Sequence, residues 1–395
     1  MMEAVKETKR GKVSPLKIFK VFFRLGLTAF GGPAMVVYIR DLAVRRHGWM
    51  TDDTFRDGVA LCQTIPGATA MQAAAYAGLR AGGGLGAAAA YVGFGLPSFV
   101  FMVVLTALYS QTHQLAMAVS LFSGLQVIVV ALVANATVNF GRRSLKCWQD
   151  IFLSLAAAGF LLARGSPIIA IMVSALLGLF LYAGTDLKRS TVMPRAVNSM
   201  ATSLRPVFVI FAGLVIGLAI LFLINRKLFD LSTLMLKVDL FAFGGGYASV
   251  PLMLHEVVGV RHWMDSRVFM DGIAMGQVTP GPIVITATFV GYLLEGLPGA
   301  LVGTISVFTP SLMILLLVVP YFDRLQNNPY LQRALRGALV SFVGLLLAVS
   351  IQFGFSVRWQ IFSIFLALAA FIALRLKVDI LWVILAGAFL SVFIL

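Results

Sequence analysis

Apolar runs of membrane-spanning length follow one another along almost the whole chain. They fall at about 18–39, 59–79, 85–109, 117–140, 149–163, 167–184, 207–224, 231–253, 272–293, 298–322, 337–355, 359–374 and 379–395. One crossing of the hydrocarbon layer takes roughly 20 such residues. With 60% hydrophobic and 12% charged residues, a water-exposed fold would lack the polar surface to cover itself. In lipid, backbone polar groups must be paired within the protein, and helices pair them locally. The pattern therefore specifies an all-α polytopic membrane protein. The fifth and twelfth runs are short; they could be re-entrant or merge with their neighbours.

The formal net charge of +15 is carried mostly by short segments between apolar runs. That placement follows the positive-inside rule and excludes a nucleic-acid surface. With the N-terminus inside, the basic arm from Lys6 to Lys20, Arg142, Arg143, Lys146, Arg333 and Arg336 all lie inside, and an odd number of spans puts the C-terminus outside. The first outside loop, with Arg40, Arg45, Arg46 and Arg56, runs against the rule. The basic arm leads into a run interrupted by Arg24 and Gly31-Gly32-Pro33, which reads as a first membrane helix instead of a cleavable signal peptide. Cys62, Cys147 and the four histidines form no disulfide framework or metal motif. No nucleophile–base pair or cofactor loop is present, so neither an enzyme nor a cofactor is expected.

The chain repeats itself. Ala29-Phe30-Gly31-Gly32 recurs as Ala242-Phe243-Gly244-Gly245, 213 residues later. Trp49-Met50 recurs as Trp263-Met264, and the Gln63, Pro66, Gly67 pattern as Gln277, Pro280, Gly281, both at a spacing of 214. Pro97-Ser98 recurs as Pro310-Ser311. Each copy holds about six apolar segments, and the extra run at 207–224 has no counterpart before the first copy. One added crossing inverts the second copy relative to the first, the plan of many secondary transporters, whose site lies at the repeat interface. The expected division is a basic cytoplasmic arm (1–16), a first repeat (17–186), a linker with a connecting transmembrane helix (187–228) and a second repeat (229–395).

Both copies carry helix breaks inside apolar runs. Gly31-Gly32, followed by Pro33, and Gly244-Gly245 are poor helix interiors. Pro66-Gly67 beside Gln63, and Pro280-Gly281 beside Gln277 and Thr279, form a second broken element with side-chain donors next to loosened backbone. Such breaks are tolerated in lipid where they pack on protein or line a cavity, and freed N–H groups at a half-helix start bind anions. Close helix packing for the glycines and simple kinks for the prolines are the alternatives. Arg24 and Lys237 occupy equivalent positions, each seven residues before the first glycine of its motif, hence on the same helix face as that glycine. Together they would supply a positive site for a divalent anion. Snorkelling of Arg24 to the headgroups, or pairing of Lys237 with Asp239 or Asp230, are the alternatives. Asp57 and Asp271 read as caps of the helices that follow their Trp-bearing loops, or else as gating carboxylates.

These residues resemble the chromate ion transporter family in its long, two-domain form. The resemblance rests on Phe30-Gly31-Gly32-Pro33, Trp49, the Gln63-Pro66-Gly67 pattern and their second copies, including Pro280-Gly281-Pro282, and covers nearly the whole chain. It implies membrane-potential- or proton-linked movement of chromate, usually efflux that confers resistance, with sulfate as a structural mimic; an alternating-access carrier in the inner membrane is the expectation that follows. The first copy departs from the second in reading Pro66-Gly67-Ala68, and the second in reading Gly244-Gly245-Gly246, so the two half-sites are not strictly equivalent. The expected oxyanion site comprises Arg24, Gly31, Gly32, Gln63, Pro66, Gly67, Lys237, Gly244, Gly245, Gln277, Thr279, Pro280 and Gly281. The expected partners are the oxyanion and the bilayer, with a homodimer left open and no nucleic acid. A carrier of sulfate or another anion with no role in resistance, and a non-transport membrane protein, are the rival readings.

Overall fold

A computed structural model describes residues 13–30, 34–183, 205–321 and 328–394. Every regular element among them is helical. The first repeat comprises α1 (Pro15–Thr28), α2 (Ala34–Arg40, continued as a π-helical turn over Asp41–Arg46), α3 (Asp52–Thr64), α4 (Thr69–Thr112), α5 (Ala116–Ser144), α6 (Trp148–Leu162) and α7 (Pro167–Leu181). The linking helix is α8 (Arg205–Ile224). The second repeat comprises α9 (Arg226–Phe241), α10 (Ser249–Met253, continued as a π-helical turn over Leu254–Val260), α11 (Ser266–Val278), α12 (Thr286–Val318), α13 (Pro329–Ser356), α14 (Ile361–Arg375) and α15 (Ile380–Ile394).

Side chains placed just ahead of the helices define where they start. Thr51 accepts the Thr54 N–H ahead of α3, Asp265 the Val268 N–H ahead of α11, and Asn225 and Asn328 do the same for α9 and α13. Asp57 and Asp271, expected as caps, instead lie inside α3 and α11. Pro15, Pro167 and Pro329 occupy first turns, where their missing N–H costs no helical bond.

The long helix α4 is not straight. Gly83 has φ 71° and ψ −158°, and a Cβ on Gly78 would overlap the carbonyl oxygen of Gly86. Eight residues of straight helix rise about 12 Å, so the chain reverses at Gly83. α12 does the same at Gly296 (φ 60°), with Gly291 against Gly299. A second reversal precedes each of these. Gly58 of α3 packs on the Tyr76 ring, and Gly272 of α11 on the Phe289 ring, so α3 and α11 fold back on the first limbs of α4 and α12. The tips of these hairpins are the two Pro-Gly sequences. α1 and the segment after it also fold back: Trp49 lies 6.2 Å, centroid to centroid, from Phe22. In the second copy α9 packs against α10.

These reversals correct the sequence expectation. The runs at 18–39, 59–79, 231–253 and 272–293 are hairpins, not crossings. The reason is the Gly and Pro content of their centres, which periodicity alone reads as kinks. Among the described residues, five helices remain long and apolar enough to cross: α4 and α12, through their second limbs, with α5, α8 and α13. Two belong to each repeat and α8 is the fifth; the hairpins and the antiparallel pairs α6–α7 and α14–α15 return the chain to the side it left. Gly84, beside the first turn, packs on Pro206 at the start of α8. Glu295, in the equivalent second turn, is 3.4 Å from Asn225 and from Lys227, just past the end of α8. Equivalent turns thus sit at opposite ends of a helix that spans about 30 Å, and the repeats are inverted. Arg40, Arg45, Arg46 and Arg56 consequently fall on the same side as the start of α1, which removes the conflict with the charge rule.

Candidate functional site

The two Pro-Gly tips meet the opposite repeat. Gly67, at φ 112°, donates its N–H to the carbonyl of Ala242 (3.0 Å), the residue just before the second Phe-Gly-Gly motif. A Cβ on Gly67 would strike Ser311 of α12. Reciprocally, Gly281, at φ 127°, lies on Ser98 of α4, whose hydroxyl donates to the Pro280 carbonyl. The repeated Pro-Ser pairs are thus the seats on which the partner repeat's tips rest. Each Pro interrupts a helix and loosens the backbone beside its Ser.

Around the first tip the polar groups form a network. Gln72 Nε2 donates to the Pro66 carbonyl (2.6 Å). Tyr91 Oη donates to the Phe308 carbonyl (2.8 Å) and is 2.8 Å from Ser311 Oγ. The Ser311 N–H donates to Asp239 Oδ2 (2.6 Å). Gly245, at φ 98°, faces Thr69 at the start of the α4 limb, and Gly246 faces Ile283 beyond the second tip. The break of the second Phe-Gly-Gly motif therefore lies between the two tips. Gly31 and Gly32, from the first motif, lie outside the described residues.

The remaining expected residues divide between open and closed surroundings. Gln63 is exposed and lines a cleft of about 470 Å³ between α2 and α3, with Val36, Arg40, Asp52, Arg56 and Val59. At its mouth Arg40 donates two bonds to Asp52 (2.5 and 2.6 Å). That bond holds the Asp52 carboxyl below the usual carboxylate range and raises the Arg40 guanidinium. In the second repeat Gln277 donates to Tyr247 Oη (2.9 Å), and the Thr279 hydroxyl donates to the Gly276 carbonyl (2.9 Å). Arg24 and Lys237 are not drawn into the tip network. Both are exposed, on the faces of α1 and α9 turned away from Ile18, Phe22 and Gly26 and from Met235, Val238 and Asp239. Seven-residue spacing places them on the glycine's face along a straight helix, but α1 ends at Thr28 and α9 at Phe241, ahead of the glycines.

Sequence reasoning passed over three participants. Asp239, fully buried, entered it only as a partner for Lys237, although an acid in an apolar run opposite Gly26 of the first copy was a readable signal. Tyr91 and Gln72 fall opposite Thr304 and Thr286 of the second copy, so neither recurs as the same residue to mark it. Asp271 bridges the repeats, accepting from Tyr109 Oη (2.9 Å) and Gln126 Nε2 (2.8 Å).

A sequence profile described as chromate transporter matches residues 16–179 and again residues 229–392. The chain belongs to the chromate transporter family. This family member is 45% identical over 390 residues to an uncharacterized transporter of Methanocaldococcus jannaschii, covering 99% of this chain and 97% of the relative. It is 31% identical over 332 residues to a chromate transport protein of Cupriavidus metallidurans (82% and 78% covered). It is also 31% identical over 364 residues to one of Pseudomonas aeruginosa (89% and 83%). No solved structure matches the chain. As a chromate transporter family member it is a multi-pass membrane transporter, and the reciprocal seating of its tips is the geometry by which the two matched halves meet.

Proposed function

We propose that this protein is an alternating-access carrier that exports chromate, or a dianion of the same tetrahedral shape, across the cytoplasmic membrane, so that cells carrying it resist chromate. The observation that carries the reading is the contrast between the surroundings of two equivalent glutamines. Gln63 in the first repeat faces an open, arginine-lined cleft, whereas Gln277 in the second is tied to Tyr247. Ala34 stands where the second copy has Tyr247, so the two half-sites of the inverted pair differ, one accessible and one tied, which suits a carrier whose repeats face opposite sides in turn. The relatives named for chromate transport support the choice of cargo.

In this reading the anion enters past Arg40 and Arg56, is held by Gln63 and by backbone N–H groups at the starts of the limbs that follow Pro66-Gly67 and Pro280-Gly281 and at Gly244-Gly245, and leaves when Gln277 releases Tyr247. Neither half-helix start has a capping side chain at Ala68 or Pro282, which suits an anion as the cap. Arg24, with Lys20 and Lys17 one and two turns earlier on the same exposed face, draws the anion toward the membrane surface. A cytoplasmic N-terminus is supported by the basic residues Arg40, Arg45, Arg46, Arg56, Arg80, Arg142, Arg143, Arg333 and Arg336, which the hairpin reading puts on its side.

Purified protein in proteoliposomes with an imposed potential tests this. Chromate flux should saturate, should be competed by sulfate, and should fall at least ten-fold in Gln63→Ala. Arg24→Ala and Lys237→Ala should raise KM at low salt and leave the maximal rate nearly unchanged. Chromate flux no greater than in empty liposomes overturns the reading. Sulfate flux that chromate does not compete would make the protein a sulfate carrier.

A further inference from the structure

Asp239 is completely buried in the inter-repeat seam, 13 residues along α9 and hence roughly 20 Å from its start. Its repeat equivalent is Gly26, whose Cα packs on the Phe94 carbonyl and Pro97. The carboxylate therefore occurs in one half only. Oδ2 accepts the Ser311 N–H, but Oδ1 has no hydrogen-bond partner among the described residues. Gln72, also fully buried, is in the same condition: its NH2 donates to Pro66 while Oε1 lacks a partner. Both unpaired atoms are acceptors, and both side chains converge on the first tip. Ser311, which holds Asp239, and Gln72 Nε2 are what a Cβ on Gly67 would meet. The seam is short of a donor, and an unpartnered buried acceptor is costly.

The charges around Asp239 do not compensate it. On α9 itself Arg226, Lys227, Asp230 and Lys237 are exposed. From α4, Tyr91 faces it through Ser311; Arg80 lies by the Gly83 turn. On α12, Glu295 is engaged with Lys227. Past α10, Glu256 pairs with Arg261, and His255 lies on the π-helical turn. On α8, Arg205 sits at the far end of the helix. A carboxylate so placed is stabilised by taking up a proton.

We propose that Asp239 carries a proton with the anion in each transport cycle. This rests on the alternating-access reading above. With the cleft open, a proton from water bonds to Oδ1, giving a neutral acid whose O–H supplies the missing donor. A dianion at the tips favours that form, because it would repel the carboxylate. When the seam of Ser311 and Gly67 shifts and the opposite mouth opens, the O–H bond breaks and the proton passes to water on that side as the anion leaves. One proton per dianion leaves one net negative charge moving, so an inside-negative potential still drives export.

Two measurements test it. In proteoliposomes holding a trapped pH dye, sulfate flux through the parent should acidify the receiving side by about one proton per anion. Asp239→Asn should lose at least ten-fold of the proton signal relative to anion moved, and Asp239→Glu should retain it. Proton movement in Asp239→Asn equal to the parent, or parent flux with no proton, overturns the proposal. Infrared titration of the purified protein without any anion should show a protonated-carboxyl band in the parent that Asp239→Asn lacks. If no anion is transported at all, that band still decides whether Asp239 takes up a proton; its absence from the parent overturns the proposal independently of the transport reading.

Discussion

Gly67 and Gly281 sit in backbone conformations that L side chains rarely adopt, with a serine of the opposite repeat pressed against each Cα. A Cβ there meets two penalties. The positive φ costs roughly 1–2 kcal/mol, and overpacking a filled seam costs about 1–3 kcal/mol more. Gly67→Ala and Gly281→Ala should therefore each lower the melting temperature in detergent and cut flux by similar amounts. Adding Ser311→Gly to the first and Ser98→Gly to the second removes the overlap but not the strain, so each double variant should recover part of the loss. Full independence of the paired substitutions, measured as a double-mutant cycle, would contradict the contact. The Pro-Gly sequences were legible as breaks from the residues alone. Their serine seats were visible only as a repeated Pro-Ser pair, because nothing local in a sequence says which distant surface a tip will touch.

At the scale of elements, the hairpins are what sequence reading missed. A run of apolar residues with Gly and Pro at its centre has the same composition whether it continues or turns back; the contacts of Gly58 with Tyr76 and of Gly78 with Gly86 decide between them. Straight α5 and α8 were legible nearly to their ends, since their interiors hold only isolated glycines, with no Gly-Gly or Pro-Gly pair at the centre. The difference has a direct check. In a variant lacking Cys62 and Cys147, cysteines introduced by Thr51→Cys and Leu85→Cys should react with an impermeant maleimide from the same side of the membrane, because α3 and the first limb of α4 return the chain to its starting side. Labelling from opposite sides would restore a crossing between residues 52 and 82.

For the molecule as a whole, inversion follows from parity, and each tip is seated on the opposite half. Tip contacts run between repeats in both directions, as do the Asp271 bridge to Tyr109 and Gln126 and the ion pair of Arg336 with the buried Asp150 (2.9 Å). A chain cut between the two family-matched regions, with α8 kept on the second fragment, should transport when both fragments are co-expressed and not when either is alone. A single fragment with full flux would show that each half holds a complete site. The helices α6, α7, α14 and α15 hold a further consequence. Each has 15 residues, about 22 Å against a hydrocarbon layer of roughly 30 Å, and each turns bulky apolar side chains such as Phe152, Phe180, Phe365 and Phe389 outward. Acyl chains beside these four rods must shorten to meet them, so the protein sits in a dimple of its own making, pinched at two flanks related by the same inversion as the fold.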